Sequence, residues 1–420
     1  MPGRASYGGR MWEKADTASR LRMRVTTAAE QAVRQGHPWI YGDKVREQNR
    51  VGENGEITVL YDRQDRFLGI GLYDRDSAIR LRMIHVGKPV EMDQPWWRER
   101  ISATIAKRHP LFGPDTTGFR LINGENDGWP ALILDQFADT LVLKIYAALW
   151  LPHLAAIEQL LRELLAPRAI VLRLSRNLIS RAQRDYQIEE GWLGPPGDDT
   201  VTFLENGLQF ESDVRYGQKT GFFLDQRENR QRVESLATHQ HVLNAFSYSG
   251  GFSLYAARGA AASVTDLDIS PYALDSARRN FALNAHHPII SQVPHHSHQA
   301  DAFDWLENAT QPSGPRFGLI ITDPPSLAKR ESERAGGIQA YQRLASSALR
   351  LLTPDGTLLA ASCSAHVLPT EFFAAIERAA HQTLGPHWQT LWTAGHAADH
   401  PATYREGEYL KAIAIKKSPA

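Results

Sequence analysis

The chain has almost no cysteine: one thiol, Cys363, in 420 residues. A single thiol excludes an intramolecular disulfide and any multi-cysteine metal site. Net charge is missing too, since 47 basic residues balance 47 acidic ones. A nucleic-acid surface must therefore be a local patch rather than a global field. No apolar run approaches the ~20 residues needed to cross a bilayer. The arginine-containing N-terminus lacks the apolar stretch of a signal peptide. These absences predict a cytoplasmic protein with no membrane partner. A hydrophobic fraction of 42% and a charged fraction of 22% suit a globular chain, and the length predicts two or three domains.

What is present is organised around residues 242–257, VLNAFSYSGGFSLYAA. An apolar run, 242–246, reads as a short buried strand. Ser247-Tyr248-Ser249-Gly250-Gly251 breaks it, and helix formers with apolar residues at helical spacing follow from Phe252. Strand, small-residue loop and helix open a nucleotide-binding α/β sheet, with the ligand over the strand's carboxyl end. Glycine at Gly250 is expected because backbone must approach the ligand with no Cβ in the way. The loop lacks GxGxxG, so a pyrophosphate on the helix N-terminus is not expected.

Residues 1–19 are polar and read as a disordered extension. From Arg20, several short alternating runs separated by Gly and Asp turns predict a small β-barrel over 20–92. Between Arg20 and Arg50 seven basic residues face three acidic ones, around Gly36-His37-Pro38-Trp39-Ile40-Tyr41. A basic, aromatic-containing barrel is compatible with RNA binding, and Arg22, Arg24, Lys44 and Arg46 are the candidate phosphate contacts. The alternative is that its arginines simply face water. Residues 93–215 read as an α+β domain, in which Asn123, Glu125, Asp127 and Gly128 form a structural turn. Residues 216–230, YGQKTGFFLDQRENR, are loop then helix, with two exposed-looking aromatics and many polar groups. That composition suits a ligand-facing lip.

Downstream of the central unit, residues 263–267 predict the second strand, which ends at Asp268, 18 positions after Gly250. Ser270-Pro271 then starts a helix. A carboxylate at that strand end can accept both hydroxyls of a ribose. Asp266 competes, but Asp268 sits at the strand mouth. The histidines at 286, 287, 295, 296 and 298 read as a polar surface insertion, and no metal is expected. Asp301 lies where the third strand should end and could accept from an adenine amino group. Residues 317–322 form an apolar strand ending in Asp323-Pro324-Pro325. A carboxylate followed by two prolines makes a rigid platform with few backbone donors, suited to a flat base. This order of elements points to S-adenosylmethionine rather than a nicotinamide cofactor. A fifth strand, 356–361, ends in Ser362-Cys363-Ser364, so Cys363 is expected beside the platform as a nucleophile.

The segments YGQKTGFFLDQRENR, VLNAFSYSGGFSLYA, DPP and SCS resemble the bacterial 23S ribosomal RNA cytosine-5 methyltransferase family. So do Ala398-Asp399-His400-Pro401 and Glu408-Tyr409-Leu410-Lys411 near the end. The likeness covers nearly the whole chain after Arg20. It implies an N-terminal PUA-like domain, a middle domain carrying NGENDGWPALILDQF, and a Rossmann-like class I methyltransferase domain over 216–420. It implies S-adenosylmethionine near Phe223, Asp225, Gln226, Ala245, Phe246, Ser247, Asp268 and Asp301, to which the loop and platform add Gly250 and Asp323. It makes Cys363 the nucleophile, with large-subunit ribosomal RNA as partner and a homodimer among the assemblies to expect.

Cytosine C5 is a poor nucleophile until a thiolate adds to C6, which is the covalent catalysis that Cys363 would supply. Asp323 is placed to hydrogen-bond the ring. Two other functions fit parts of the pattern. A guanine or exocyclic-amine methyltransferase also uses DPP, but an aromatic usually follows there, whereas this chain has Ser326. A non-catalytic RNA-binding assembly factor could keep the fold.

Overall fold

A computed structural model describes residues 20–311 and 313–419; the expected extension, 1–19, lies outside the described residues. The chain divides into two compact units. One holds the described residues up to Asn206 together with Ser212–Phe222, and the other holds Gly207–Glu211 and the chain from Phe223 onward. The division runs through a hairpin of Thr200–Glu205 and Leu208–Asp213. Its turn residues, Asn206 and Gly207, have φ of 49° and 80°, as a tight primed turn requires.

In the first unit, six strands form one sheet in the order Trp39–Tyr41, Ile79–Val86, Phe67–Tyr73, Ile57–Tyr61, Leu21–Val25, Val45–Gln48. Leu21–Val25 alternates buried and more exposed residues, so Leu21, Met23 and Val25 enter the core while Arg22 and Arg24 face outward. Five more strands make a second sheet in the order Gly191–Leu193, Ala169–Leu174, Thr140–Ile145, Leu132–Phe137, Gly118–Asn123. Its core contains three buried tryptophans, Trp97, Trp129 and Trp150, with ring centroids 5.6–6.2 Å apart. A buried indole N–H needs an acceptor, and Trp129 Nε1 donates to Thr104 Oγ1 at 3.1 Å. The expected structural turn is a short 3-10 helix, Gly124–Asp127. Glu125 accepts from Trp39 Nε1 and Arg82 Nη1, each at 2.8 Å, and Asp127 accepts from Arg108 at 2.5 Å.

The second unit begins with α1 (Arg227–Leu236). It continues through β1 (His241–Ala245), α2 (Gly251–Arg258), β2 (Ser263–Asp268), α3 (Pro271–Leu283), β3 (His295–Gln299) and α4 (Ala302–Ala309). Then follow β4 (Phe317–Thr322), α5 (Arg334–Arg350), β5 (Leu352–Ser362), α6 (Pro369–Leu384), β6 (Trp388–Ala394) and β7 (Lys411–Lys417). The sheet order is β3-β2-β1-β4-β5-β7-β6. The first five strands are parallel, and β7 runs antiparallel between β5 and β6. Strand order reverses at β1/β4, and an open α/β sheet binds its ligand at such a switch point. The latter part of the histidine-rich stretch is therefore not an insertion. It forms the edge strand β3, whose His295 stacks on Phe281 at 3.7 Å.

A buried ion pair ties α1 to the segment before β7. Arg227 Nη1 and Nη2 donate to the two oxygens of Asp399 at 2.9 and 3.1 Å, and His400 Nδ1 lies 2.8 Å from the same carboxylate. All three side chains are buried. Burial pushes Asp399 up, but the charges of His400 and Arg227 outweigh it and hold the carboxyl well below the usual range. Removing Arg227 would leave the buried carboxylate with His400 as its one remaining partner in this triad, so Arg227→Met should lower stability by about 3 kcal/mol. Urea denaturation of the full chain measures this, and a loss under ~1 kcal/mol would show the pair to be dispensable.

Candidate active site

The loop after β1 is built from backbone that few residues adopt. Phe246, Tyr248 and Gly250 have φ of 61°, 47° and 73°. The N–H groups of Phe246 and Ser247 both donate to Leu267 O, at 2.8 and 3.2 Å. This folds the loop across the end of β2. The Gly250 requirement is one of packing: a Cβ there would lie 2.8 Å from Ala277 Cβ on α3 and 3.2 Å from Asp266 Oδ2. The glycine lets the loop sit on α3, a packing reason that stands beside the close ligand approach expected from sequence.

The two carboxylates of β2 have opposite environments. Asp266 is fully buried. It accepts from Ser253 Oγ, from Asn244 Nδ2 at 3.3 Å and from His295 Nε2 at 2.7 Å. Its lone pairs hold the sheet to α2. Asp268 stands half-exposed at the strand end and takes Tyr248 N on Oδ2 and Ser270 N on Oδ1, both at 2.9 Å. Each oxygen keeps a lone pair, and the carboxylate's orientation is set by the loop it borders. Ala300 N donates to Asp268 O at 3.1 Å, which brings Asp301 alongside. Asp301 caps α4 through Oδ1, which accepts from Phe303 N and Asp304 N at 2.8 and 3.2 Å.

The segment before α1 forms the opposite wall. Phe223 meets Tyr248 edge-on at 5.1 Å. Asp225 is buried and accepts from Tyr409 Oη at 2.7 Å, which makes it a strut as well as a candidate ligand. Gln226 is also buried: its Oε1 accepts from Asn229 at 2.7 Å and its Nε2 donates to Asp323 Oδ2 at 2.9 Å. The amide of Gln226 therefore aims the carboxylate of Asp323, and Asp323 N lies 3.5 Å from Ala245 O at the end of β1. Ser247 Oγ is buried and meets no hydrogen-bond partner among the described residues. A buried hydroxyl so placed has a donor and an acceptor to offer.

Cys363 follows the last residue of β5. It is partly exposed, and Sγ lies 4.0 Å from Pro324 O, so the thiol and the Asp323-Pro324-Pro325 turn share one mouth. Sequence reading missed what holds them there. Ser364 Oγ receives Leu327 N at 3.0 Å and Ala328 N at 3.3 Å, and shares hydrogen bonds with Ser326 Oγ at 3.1 Å and Tyr341 Oη at 2.8 Å. One buried hydroxyl thus joins the loop after β4 to the loop after β5. Lys411 is equally buried. Its Nζ donates to Ser364 O at 2.5 Å, Val367 O at 2.6 Å and Tyr409 O at 3.1 Å. Burial pushes this ammonium down to about 8, while Cys363, Glu408 and Glu371 pull it back up. In sequence, the only available signal was a lysine within the apolar run LKAIAI.

The four barrel cations lie in the first unit. Arg24 stands opposite Glu47 across the strand pair. It donates to Glu47 at 2.7 Å and to both oxygens of Asp65 at 2.7 and 2.6 Å. Lys44 lies 2.9 Å from Asp43. Two of the four charges are thus met locally, which cross-strand pairing of opposite charges favours. Arg22 and Arg46 are exposed.

Sheet order, the β1 loop, the acid at the end of β2 and the Asp-Pro-Pro turn after β4 define a class I S-adenosylmethionine-dependent methyltransferase. A family described as S-adenosylmethionine-dependent methyltransferase matches residues 119–388, and a PUA-like domain matches 23–85. A ribosomal RNA large subunit methyltransferase of Deinococcus radiodurans is 53% identical over 96% of this chain and 98% of its own length. Ribosomal RNA large subunit methyltransferase I of Aeromonas salmonicida is 33% identical over 92% of this chain and 97% of its own. The chain belongs to this ribosomal RNA large subunit methyltransferase family. Among solved structures, a protein described as a methyltransferase complexed with S-adenosylhomocysteine shares the fold. It has a TM-score of 0.79 at 22% identity and covers 94% of this chain and 99% of its own.

Lys411 gives a pH signature. Its pKa is about 8 folded and 10.5 free, so between those values the unfolded chain binds more protons and stability rises with pH. Wild-type protein should gain urea resistance from pH 8 to about 10, and Lys411→Met should lose part of that gain. Identical pH slopes in the two proteins would place the charge elsewhere.

Proposed function

We propose that this protein methylates C5 of a cytosine in large-subunit ribosomal RNA through a covalent adduct to Cys363. The observation that carries this reading is the thiol itself. It is the only one in the chain, it is partly exposed, and it lies 4.0 Å from the carbonyl of Pro324 beside an aimed carboxylate. The relatives named above are ribosomal RNA large subunit methyltransferases, which supports RNA as substrate and the cytoplasm as compartment.

S-adenosylmethionine, when bound, supplies an electrophilic methyl group on a sulfonium. The residues present fit it: a buried hydroxyl on Ser247 that meets no partner among the described residues, and a carboxylate on Asp268 with one lone pair left on each oxygen. Asp268 would hold the ribose hydroxyls, and Asp301, through the oxygen not used in capping, the adenine amino group. Phe223, Phe246, Ala245 and Gly250 would shape the wall, while Asp225 and Gln226 keep that wall and Asp323 in place.

On the RNA side, Cys363 thiolate adds to C6 of the ring, and Asp323 hydrogen-bonds the ring as the adduct forms. C5 then carries the electron density that takes up the methyl group. Loss of the C5 proton to a base or water restores the double bond and expels the thiolate. The buried Lys411 ammonium is electrostatically coupled to this thiol, and a positive charge beside a thiol favours the thiolate. The target base must be unstacked, which single-stranded or loop RNA permits. An amine-methylating enzyme would leave Cys363 idle.

Two measurements test this. Asp268→Ala should weaken S-adenosylmethionine binding by about 2 kcal/mol, as loss of hydrogen bonds to a charged group implies; unchanged affinity by calorimetry on folded protein would remove Asp268 from the site. Cys363→Ala should abolish methyl transfer while cofactor binding persists, and wild-type protein should be trapped by RNA bearing 5-fluorocytosine. Methylation at near wild-type rate by the alanine variant, with no trapped adduct, would sink the C5 assignment in favour of amine methylation.

A further inference from the structure

The carboxyl ends of Thr140–Ile145 and Ala169–Leu174 carry an arrangement that the methyl-transfer reading does not use. These strands pair in parallel, and Lys144 stands directly opposite Arg173. Like charges in register destabilise a sheet, so both cations need acceptors. They find them in one loop. Lys144 Nζ donates to Lys219 O at 2.7 Å, and Arg173 donates to Val214 O at 3.2 Å and Gly217 O at 3.0 Å. Carbonyl oxygens satisfy the hydrogen bonds without countering the charge of Lys144.

The loop is stiff. Asp213 Oδ1 accepts from Arg215 N and Tyr216 N at 3.2 and 2.8 Å, and Thr220 Oγ1 donates to Asp135 at 2.6 Å. Gly221 has φ of 121°, and a Cβ there would lie 2.1 Å from Ser212 Oγ. On this rigid support Tyr216 is 72% exposed, and Tyr146, at the end of the neighbouring strand, is 41% exposed. Arg215 lies 5.6 Å from the Trp192 ring and 5.4 Å from the Tyr216 ring. Lys144 lies 5.5 Å from the Tyr146 ring.

Two of the acids that face this cluster are engaged elsewhere, and two pair with its arginines. Asp135 is held by Arg120 and Thr220, and Asp213 by the loop's N–H groups. Glu190 accepts from Leu174 N at 2.7 Å and lies 3.8 Å from Arg173, and Asp199 lies 3.6 Å from Arg215. Burial, together with the charges of Arg173 and Lys219, pushes Lys144 down to about 8, against the pull of Glu190 and Asp135.

We propose that this end of the five-stranded sheet is a binding surface for single-stranded RNA, with phosphates on Lys144 and Lys219 and bases stacked on Tyr216 and Tyr146, while Arg173 and Arg215 brace the loop that carries them. Cations interleaved with rigid aromatic platforms are what single strands recognise, because every base offers a face to stack. The surface rests on the reading that RNA is the substrate, and it lies apart from the PUA-like strands where sequence placed the RNA contacts.

The test uses the full chain and a fluorescein-labelled single-stranded RNA of mixed A and U, with binding followed by anisotropy across salt concentrations. Tyr216→Ala should weaken binding about tenfold, as loss of one stacked base implies. Lys219→Gln should reduce the salt slope by about 0.7, the share of one phosphate on a single strand. Duplex RNA should bind more weakly than the single strand, and S-adenosylmethionine affinity should stay the same in both variants. Unchanged affinity and slope in both variants would overturn the surface alone. So would equal affinity for duplex, or displacement of the RNA by polyglutamate at equal charge. Wild-type protein that binds no RNA would instead overturn the substrate reading on which the surface rests.

Discussion

A single buried ammonium sets the geometry of the mouth where Cys363 meets the Asp-Pro-Pro turn. Lys411 opens β7 and pairs in register with Ser362, the last residue of β5. Its three protons go to the carbonyls of Ser364, Val367 and Tyr409. A lysine buried without a carboxylate partner is costly, as its pKa of about 8 records. The fold keeps it where β7 enters the sheet antiparallel beside β5, and there it fixes the turn that carries Cys363. Ser364 completes the arrangement from the other side by gathering the loop after β4. The thiol and the Asp-Pro-Pro platform are thus held together by one cation and one hydroxyl, neither of which need touch substrate.

Four aspartates near the ends of the parallel strands show how environment divides one chemistry into several tasks. Asp266 has a hydroxyl, an amide and an imidazole on it and is sealed in the core. Asp268, two residues on, receives only two backbone N–H groups and stays half-exposed. Asp301 gives one oxygen to a helix cap, and Asp323 is steered by a buried glutamine. Residue type is the same in all four. The remaining lone pairs, and what they face, decide which one can meet a ligand.

The same logic separates cations in the first unit. Arg24 and Lys44 have the composition of an RNA-binding strand, yet Glu47, Asp65 and Asp43 meet their charges within the domain. Lys144 and Arg173, which no local pattern marked, stand opposite one another and donate to carbonyls of the facing loop, and Arg173 also lies 3.8 Å from Glu190.

By itself the sequence determined the order and type of most elements, because apolar spacing, caps and turn residues act over a few positions. The strands at 263–267 and 317–322 and the helix begun by Ser270-Pro271 follow from such local rules. So does the alternation of strand and helix that yields a doubly wound sheet. The loop, acids, Asp-Pro-Pro and lone thiol were legible as a list because each sits at a strand end, where ligands gather in such sheets. Tertiary structure decided what no local rule carries. It made β3 out of a histidine-rich stretch by pairing it to β2, and it turned Gly250 into a packing contact with α3. It made Gln226 the guide of Asp323 across 97 residues and placed Lys411 beneath Cys363 across 48. Those pairings depend on long-range register and burial, which one-dimensional spacing does not encode.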